Sequence, residues 1–188
     1  MLWDLKLKVG QATRSVDDCV RLASGDLTIR TAMLESRYLW GDKKLCNELR
    51  RRFYAEVADE TGPEFVEEKL AERDARHDKM GGSRYVLEPN VKEGKGGLRD
   101  LQTLYWIAKY LYKVDEVANV VDRGVLTKKE ADRFGRAHRF LWDVRCHLHY
   151  LSNRGEDRLT FDLQSEIASL LGYRDRAGAR GVERFMKH

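Results

Sequence analysis

Residues 87–104 read LEPNVKEGKGGLRDLQTL, a glycine-rich, charged loop that runs directly into an apolar helix pattern. Gly94, Gly96 and Gly97 permit positive φ angles and allow another backbone or a ligand to approach closely. The stretch is not a Walker A loop, because the pattern G-x-x-x-x-G-K-[ST] is absent from it. It therefore predicts an organised loop at the N-terminus of a helix.

Charged side chains in this loop and in the first helical turn are the candidates for ligand binding. Lys92, Lys95 and Arg99 place cations beside the loop amides, and Asp100 lies where a helix N-terminus favours negative charge. A basic, glycine-rich loop before a helix can hold phosphate. Two alternatives stay open. The stretch is only a turn that starts a helix, or Arg99 and Asp100 form an ion pair that fixes the loop.

The composition favours a helical protein with an ordinary core. The chain has 188 residues, of which 42% are hydrophobic and 35% charged, with only two prolines. Lysine and arginine (35) exceed aspartate and glutamate (31) by four, an excess too small to predict a nucleic-acid partner. No apolar run approaches the ~18 residues of a membrane span, so no membrane segment is expected. Three widely spaced cysteines and no secretory segment indicate reduced thiols and a cytoplasmic location.

Towards the N-terminus, residues 2–10 alternate apolar and polar side chains. This period of two predicts a half-buried strand whose polar face carries Asp4, Lys6 and Lys8. A single strand cannot satisfy its own hydrogen-bond ladder. The strand either pairs with something outside the chain, or the chain begins inside a domain. On the pattern alone, Asp4 belongs to a solvated strand face.

The rest of the chain shows helical signals. Asp26 is predicted to cap a helix that continues to Trp40. Apolar residues between positions 98 and 112 form a wide stripe, which predicts a central helix. Thr127 and Glu130 match a capping box that opens the next long helix. The fold class is therefore mainly α, a helical bundle-like domain preceded by one strand.

Two groups of polar residues have a structural interpretation. Residues 67–79 are dense in charges of both signs and predict a solvated helix face. His138, Arg145 and His149 lie on neighbouring faces of one predicted helix. The two histidines are about three turns apart, so they cannot share one metal ion. We interpret them as core or interface histidines.

The opening stretch also resembles a known family. Residues 88–104 are similar to the signature of the bacterial PII-protein uridylyltransferase/uridylyl-removing enzymes. Gln102 and Thr103 favour this family over the related glutamine-synthetase adenylyltransferases. Two further stretches resemble the same family in the same order, LWDLKLKVGQATRSVDDC at residues 2–19 and EDRLTFDLQSEIASLLGY at residues 156–173.

The resemblance implies a domain organisation and an activity. Residues 1–14 would be the last strand of an incomplete α/β nucleotidyltransferase domain, and residues 15–188 a helical domain truncated at its C-terminal end. The whole enzyme would transfer UMP from UTP to a tyrosine of the PII nitrogen-regulatory protein. Two Mg²⁺ ions, held by carboxylates, would align the reacting oxygens.

The resemblance also implies roles for individual residues. Asp4 falls where the family has its third metal-binding acid, so it is the expected catalytic residue and metal ligand. The paired acids and the phosphate loop of the family are missing, so the isolated chain is expected to be inactive. Gln11 stands where the family usually has a histidine, and glutamine cannot carry a proton. The residues expected to contact nucleotide phosphates or the tyrosine-bearing loop of PII are Lys92, Lys95, Gly96, Gly97, Arg99 and Asp100.

Two other functions remain alternatives at this point. One is the adenylyltransferase relative, which would use ATP and glutamine synthetase. The other is a helical interaction module without chemistry of its own, because the expected catalytic motifs precede the chain. PII and UTP are the expected partners of the leading hypothesis, with no nucleic acid and no membrane.

Overall fold

The computed structural model describes residues 4–5, 9–82, 86–114 and 117–187. Over these ranges the protein is mainly α, as its sequence predicts, with nine α-helices in chain order. The helices are α1 (Val16–Gly25), α2 (Leu27–Leu34), α3 (Lys43–Phe53), α4 (Gly62–Lys79), α5 (Leu98–Tyr112), α6 (Val117–Asp122), α7 (Lys128–Ser152), α8 (Phe161–Leu170) and α9 (Gly181–Met186). A π-helical turn, Tyr54–Ala58, continues α3.

Most of the strand predicted at residues 2–10 lies outside the described residues. Residues 4–5 form a turn, and residues 9–10 have no regular secondary structure. Throughout the described ranges, β structure is limited to two isolated bridges, Asn90 with Arg158 and Arg176 with Ala179. The strand and its parent sheet therefore stay a prediction.

The chain divides into two compact units, Met1–Phe65 and Val66–His188, and the division falls within α4. In the first unit α1 contacts α2 and α3. Ser15 caps α1 by accepting from the amide of Asp18, and Asp26 caps α2 by accepting from the amide of Ile29. The domain boundary predicted at residue 14 stays a prediction.

Helix α2 is shorter than its sequence predicts. It ends at Leu34 rather than continuing to Trp40. The Ser36 hydroxyl donates to the Met33 carbonyl at 2.6 Å, which satisfies an acceptor of the last turn. Trp40 is 93% exposed, so the residues beyond Leu34 supply no apolar burial that would stabilise a longer helix.

A buried arginine holds the junction of α1 and α2. Arg30 is 2% exposed. Its Nε donates to the Ala23 carbonyl at 3.0 Å, and Nη2 donates to the Ser24 carbonyl at 2.7 Å. Its Nη1 lies 3.2 Å from Glu64 Oε1. Arg30 thus satisfies carbonyls at the C-terminus of α1, where positive charge is favoured.

The second unit is built around α7. Helix α7 contacts α5, α6 and α8, and α8 contacts α9. Phe185 of α9 packs its ring 5.5 Å from that of Tyr173 and 6.0 Å from that of Phe140. The buried residues of this core are Val91, Val144, Leu148, Leu159, Ile167, Ala168 and Phe185. Val91 is the member contributed by the glycine-rich loop, so this loop is anchored in the core.

Helix α5 buries only part of its apolar stripe. Trp106 and Tyr110 are buried, whereas Leu104 is 56% exposed and Leu111 is also exposed. The stripe predicts a central helix, and the structure buries only one part of that stripe. Apolar residues occupy more of the helix circumference than α6 and α7 cover, and the exposed part lines an open cavity of about 280 Å³.

The charged run at residues 67–79 is not a solvated face throughout. Lys69 is 3% exposed, and His77 is buried. The Lys69 ammonium lies 2.8 Å from a Glu72 carboxylate oxygen and 4.8 Å from the centre of the Trp106 ring. An ion pair and a cation–π contact therefore compensate its burial. Charge density alone did not reveal this, because the partner ring lies on another helix.

Candidate functional site

The glycine-rich loop is built on an Asn90 turn. The Asn90 side-chain oxygen accepts from the amides of Lys92, at 3.0 Å, and Glu93, at 2.7 Å. The Gly94 amide donates to the Asn90 carbonyl at 3.0 Å. A Cβ atom at Gly94 would lie 2.6 Å from that carbonyl oxygen. The turn therefore closes only with glycine at position 94.

Gly97 is required by a second close approach. A Cβ atom there would lie 2.8 Å from the Val91 oxygen and 2.9 Å from the oxygens of Lys92 and Gly94. Gly96 has φ of 82°, in the left-handed region that favours glycine. The loop's own backbone packing thus explains its glycines.

The amides at the start of α5 are bonded within the loop. The Leu98 amide donates to Val91 O and the Arg99 amide to Lys92 O, each at 2.9 Å. The Gly96 amide donates to the Asp100 carboxylate at 2.7 Å. An anion near this helix N-terminus would therefore be held mainly by side chains.

Asp100 is the anchor of the loop. Its carboxylate accepts from Arg76 Nη2 at 2.5 Å and lies 2.9 Å from His77 Nε2, in addition to the Gly96 amide. Burial would raise the pKa of Asp100, but the Gly96 amide, Arg76 and His77 together hold the pKa below its ordinary value. Asp100 thus ties the end of α4 to the start of α5.

Asp157 is a second anchor, which the sequence did not reveal. Its carboxylate accepts from Arg145 Nε at 2.7 Å and lies 3.1 Å from His149 Nε2. Lys92 Nζ lies 3.7 Å from the other oxygen, and the Asp157 carbonyl accepts from the Val91 amide at 2.8 Å. Burial would raise the pKa of Asp157, but Arg145 and His149 lower it.

Glu93 links the two anchors. Its carboxylate lies 3.7 Å from Arg76 Nε, 3.7 Å from Lys92 Nζ and 3.6 Å from Arg99 Nη2. Ion pairs therefore run from α4 through the loop to α7. Of the predicted site residues, Lys92 and Arg99 belong to this network together with Asp100, whereas Lys95 is exposed.

Arg99 and Asp100 have different partners. Arg99 lies near Glu93 and donates to Gln102 Oε1 at 2.9 Å, whereas Asp100 is held by Arg76 and His77. Asp100 is therefore held by partners from α4, and the alternative of an Arg99–Asp100 pair does not describe how the loop is fixed.

The loop also pairs with the segment that follows α7. The Leu159 amide donates to the Pro89 carbonyl at 2.9 Å, next to the bridge between Asn90 and Arg158. Glu88 accepts from Arg158 Nη2 at 2.9 Å. These bonds bring together residues 88–104 and 156–173, the two stretches that the sequence singled out separately.

Two histidines of α7, His138 and His149, have structural partners. His138 Nε2 accepts from the Trp142 indole at 3.0 Å, and His149 lies against Asp157. The Arg145 guanidinium lies 5.1 Å from the centre of the Trp142 ring. Both histidines are half-buried, so neither belongs to the buried core, and an interface role stays a prediction.

Asp4 lies exposed in a turn, and no complete metal site surrounds it in the described residues. Across those ranges, no group of three or more His, Cys, Asp or Glu side chains is placed to hold a metal ion. One carboxylate can contribute to an Mg²⁺ shell of oxygen ligands but cannot complete it. The described residues therefore do not by themselves fit a Mg²⁺ site, and the role of Asp4 stays a prediction.

Comparison with known proteins identifies the family. Residues 64–188 match the family model described as GlnD PII-uridylyltransferase. The loop, both of its anchors and the segment after α7 all lie inside this match. The chain therefore belongs to the PII-uridylyltransferase family.

Curated proteins that are similar to this chain match it along its whole length. A bifunctional uridylyltransferase/uridylyl-removing enzyme of Azospirillum brasilense is 65% identical over 188 residues, which are 100% of this chain and 20% of that enzyme. An enzyme of the same description from Rhodospirillum rubrum is 64% identical over 187 residues, with the same coverage. The chain thus spans about a fifth of the length of these relatives. No solved structure matches it. Among the described helices, none is long and apolar enough to cross a membrane.

Proposed function

We propose that the chain is the helical part, with the preceding strand, of an enzyme that transfers UMP from UTP to a tyrosine of the PII protein. The observation that carries this proposal is the 65% identity along the full 188 residues to a bifunctional uridylyltransferase/uridylyl-removing enzyme. In the proposed reaction, the tyrosine hydroxyl attacks the α-phosphorus of UTP. The new phosphodiester bond forms as the bond to pyrophosphate breaks.

In this proposal the loop cations contact the substrates. Lys95 is exposed, and Lys92 and Arg99 are half-buried, so all three can reach a ligand at the loop surface. They would neutralise phosphate charge of UTP or contact acidic residues beside the target tyrosine. Gly96, Gly97 and Asp100 would act indirectly, by holding the loop in shape.

Asp4 has a separate proposed role. It would supply one carboxylate ligand to the Mg²⁺ of the whole enzyme, with the remaining ligands contributed by residues outside the described ranges. Mg²⁺ would supply charge neutralisation at the phosphates. The isolated 188 residues are therefore expected to lack transferase activity.

The test uses a full-length enzyme that contains this segment. UMP transfer from α-labelled UTP to PII is measured for the parent enzyme, Lys95→Gln and Arg99→Gln, with Lys128→Gln on exposed α7 surface as the matched control. Loss of one charge-assisted contact predicts a roughly 10-fold or greater decrease in kcat/KM for Lys95→Gln and Arg99→Gln, and no change for Lys128→Gln.

Two results would contradict the proposal. Preference for ATP over UTP, with glutamine synthetase as the acceptor, would assign the chain to the adenylyltransferase relatives instead. UMP transfer by the purified 188 residues alone would overturn the expectation that this segment lacks essential catalytic groups.

A further inference from the structure

A half-enclosed pocket of about 320 Å³ lies in the second unit, between the end of α4 and the glycine-rich loop. Its volume is within the range of small-molecule sites in proteins. Three cations and an apolar surface line it, formed by Lys79, Lys95, Arg158, Met80, Val86 and Pro89. The pocket borders the ion-pair network at His77, but Lys92 and Arg99 do not line it.

The charges in this pocket are not balanced. Arg158 is paired with Glu88, whose carboxylate lies 2.9 Å away. Lys79 and Lys95 are exposed, and neither ammonium has an ion-pair partner among the described residues. Lys92 and Arg99, by contrast, each lie within 4 Å of the Glu93 carboxylate. The pocket therefore presents two uncompensated positive charges together with an apolar surface.

We propose that this pocket binds a phosphate-bearing anion, with Lys79 and Lys95 as its phosphate contacts. Lysine ammonium groups bind phosphate as point charges without demanding one planar geometry. A phosphate dianion matches the two uncompensated charges, and the apolar residues leave room for an organic group. That the natural ligand is a uridine nucleotide or pyrophosphate rests on the proposed function, whereas phosphate recognition does not.

The test is a binding titration of the 188-residue protein at constant ionic strength. Inorganic phosphate, pyrophosphate, UMP and UTP are the probes, and isothermal calorimetry and amide chemical shifts are the measurements. The variants are Lys79→Gln, Lys95→Gln and the double substitution. Lys128→Gln, an exposed lysine on α7, is the control of equal charge change. Circular dichroism confirms that each variant retains its helices.

The expected result is saturable binding of every probe, with amide shifts confined to the pocket. Each single substitution weakens binding about 10-fold, and the double substitution abolishes it, while Lys128→Gln binds like the parent protein. Tighter binding of UMP and UTP than of phosphate and pyrophosphate would identify a nucleotide site. Equal affinities for nucleotide and inorganic probes would identify a site that recognises the phosphate alone.

Binding that is absent, or unchanged in the double variant, overturns the inference. Its failure is distinguishable from failure of the proposed function, since transferase activity is measured separately in the full-length enzyme. Transfer of UMP without phosphate binding at this pocket would support the proposed function and contradict the proposed phosphate site. Phosphate binding at the pocket of an enzyme that transfers no UMP would support the phosphate site and contradict the proposed function.

Discussion

His77 and Asp100 are 23 positions apart, yet the His77 Nε2 atom lies 2.9 Å from both carboxylate oxygens of Asp100. Arg76, the preceding residue, donates to the same carboxylate. One aspartate in the first turn of α5 thereby fixes the last turns of α4. The glycine-rich loop between them is closed at both ends by charge rather than by apolar packing alone.

The first prediction concerns this anchor. Asp100→Asn removes the charge that pairs with Arg76, whose side chain is only 12% exposed. Leaving a largely buried guanidinium without its carboxylate is expected to lower the free energy of unfolding by about 2–3 kcal/mol. Urea denaturation followed by circular dichroism measures this change.

The matched control for Asp100→Asn is Asp74→Asn. Asp74 pairs with Arg73 at 2.8 Å, but its side chain is 61% exposed. An exposed ion pair contributes roughly 0–1 kcal/mol, so this variant should stay close to the parent protein. If both variants lost the same free energy of unfolding, Asp100 would contribute no more to stability than an exposed ion pair.

The second prediction concerns acid pH. The pKa values of Asp100 and Asp157 lie below the ordinary value of 3.8 in the folded protein. Each ionised carboxylate therefore stabilises the fold above that pH, and the stabilisation is lost as the pH falls from 3.8 through the folded pKa. Asp100→Asn and Asp157→Asn should each flatten the dependence of stability on pH in this acid window. The measurement is Tm between about pH 2 and pH 6. A variant that keeps the parent's slope would rule out that carboxylate as a contributor.

The sequence predicted the fold class because local signals determine most helices here. Asp26 and the Thr127–Glu130 capping box both lie at the helix starts that they predict. The end of α2 was not predictable in the same way, because apolar Leu39 and Trp40 continue its pattern but find nothing to pack against.

The candidate site was predictable only in part, and for a physical reason. The glycine spacing indicated an organised loop, and Gly94 and Gly97 do make the close approaches that such spacing suggests. The anchors could not be found from the loop alone. His77, for example, lies in a run of charged residues, and its partner is distant in sequence.

The third prediction uses two glycines with opposite surroundings. At Gly97 an added Cβ would meet three carbonyl oxygens at 2.8–2.9 Å. Gly97→Ala must therefore move the loop backbone, and we expect a loss of about 2 kcal/mol or more. At Gly135, inside α7, an added Cβ meets nothing within 4 Å. Gly135→Ala should stabilise the protein by about 0.5–1 kcal/mol, since alanine favours helix and reduces the freedom of the unfolded chain.

The urea midpoints of the two glycine variants should move in opposite directions from that of the parent protein. This pairing separates backbone packing from any general effect of an added methyl group. If Gly97→Ala were as stable as the parent protein, the loop would accommodate a Cβ atom at position 97. That result would contradict the conclusion that the nearby carbonyl oxygens require glycine there. Amide shifts of Val91 and Lys92 should change in Gly97→Ala and stay unchanged in Gly135→Ala.

The fourth prediction concerns the first unit. Arg30→Ala removes the donors of the Ala23 and Ser24 carbonyls and leaves space at a buried position. We expect this change to cost about 2–4 kcal/mol, since lost charge-assisted hydrogen bonds and lost packing add together. The control is Arg21→Ala, whose side chain is 68% exposed and pairs with Asp18 one turn away. That variant should lose less than about 0.5 kcal/mol.

Hydrogen exchange can locate the Arg30 effect as well as measure it. Amides of α1 and α2 should exchange faster in Arg30→Ala, because Arg30 joins the C-terminus of α1 to α2. Arg30→Lys retains the positive charge but lacks the guanidinium fork that reaches both carbonyls, so it should recover only part of the protection. Full recovery by lysine would mean that charge at the helix end, rather than the two directed hydrogen bonds, holds this junction together.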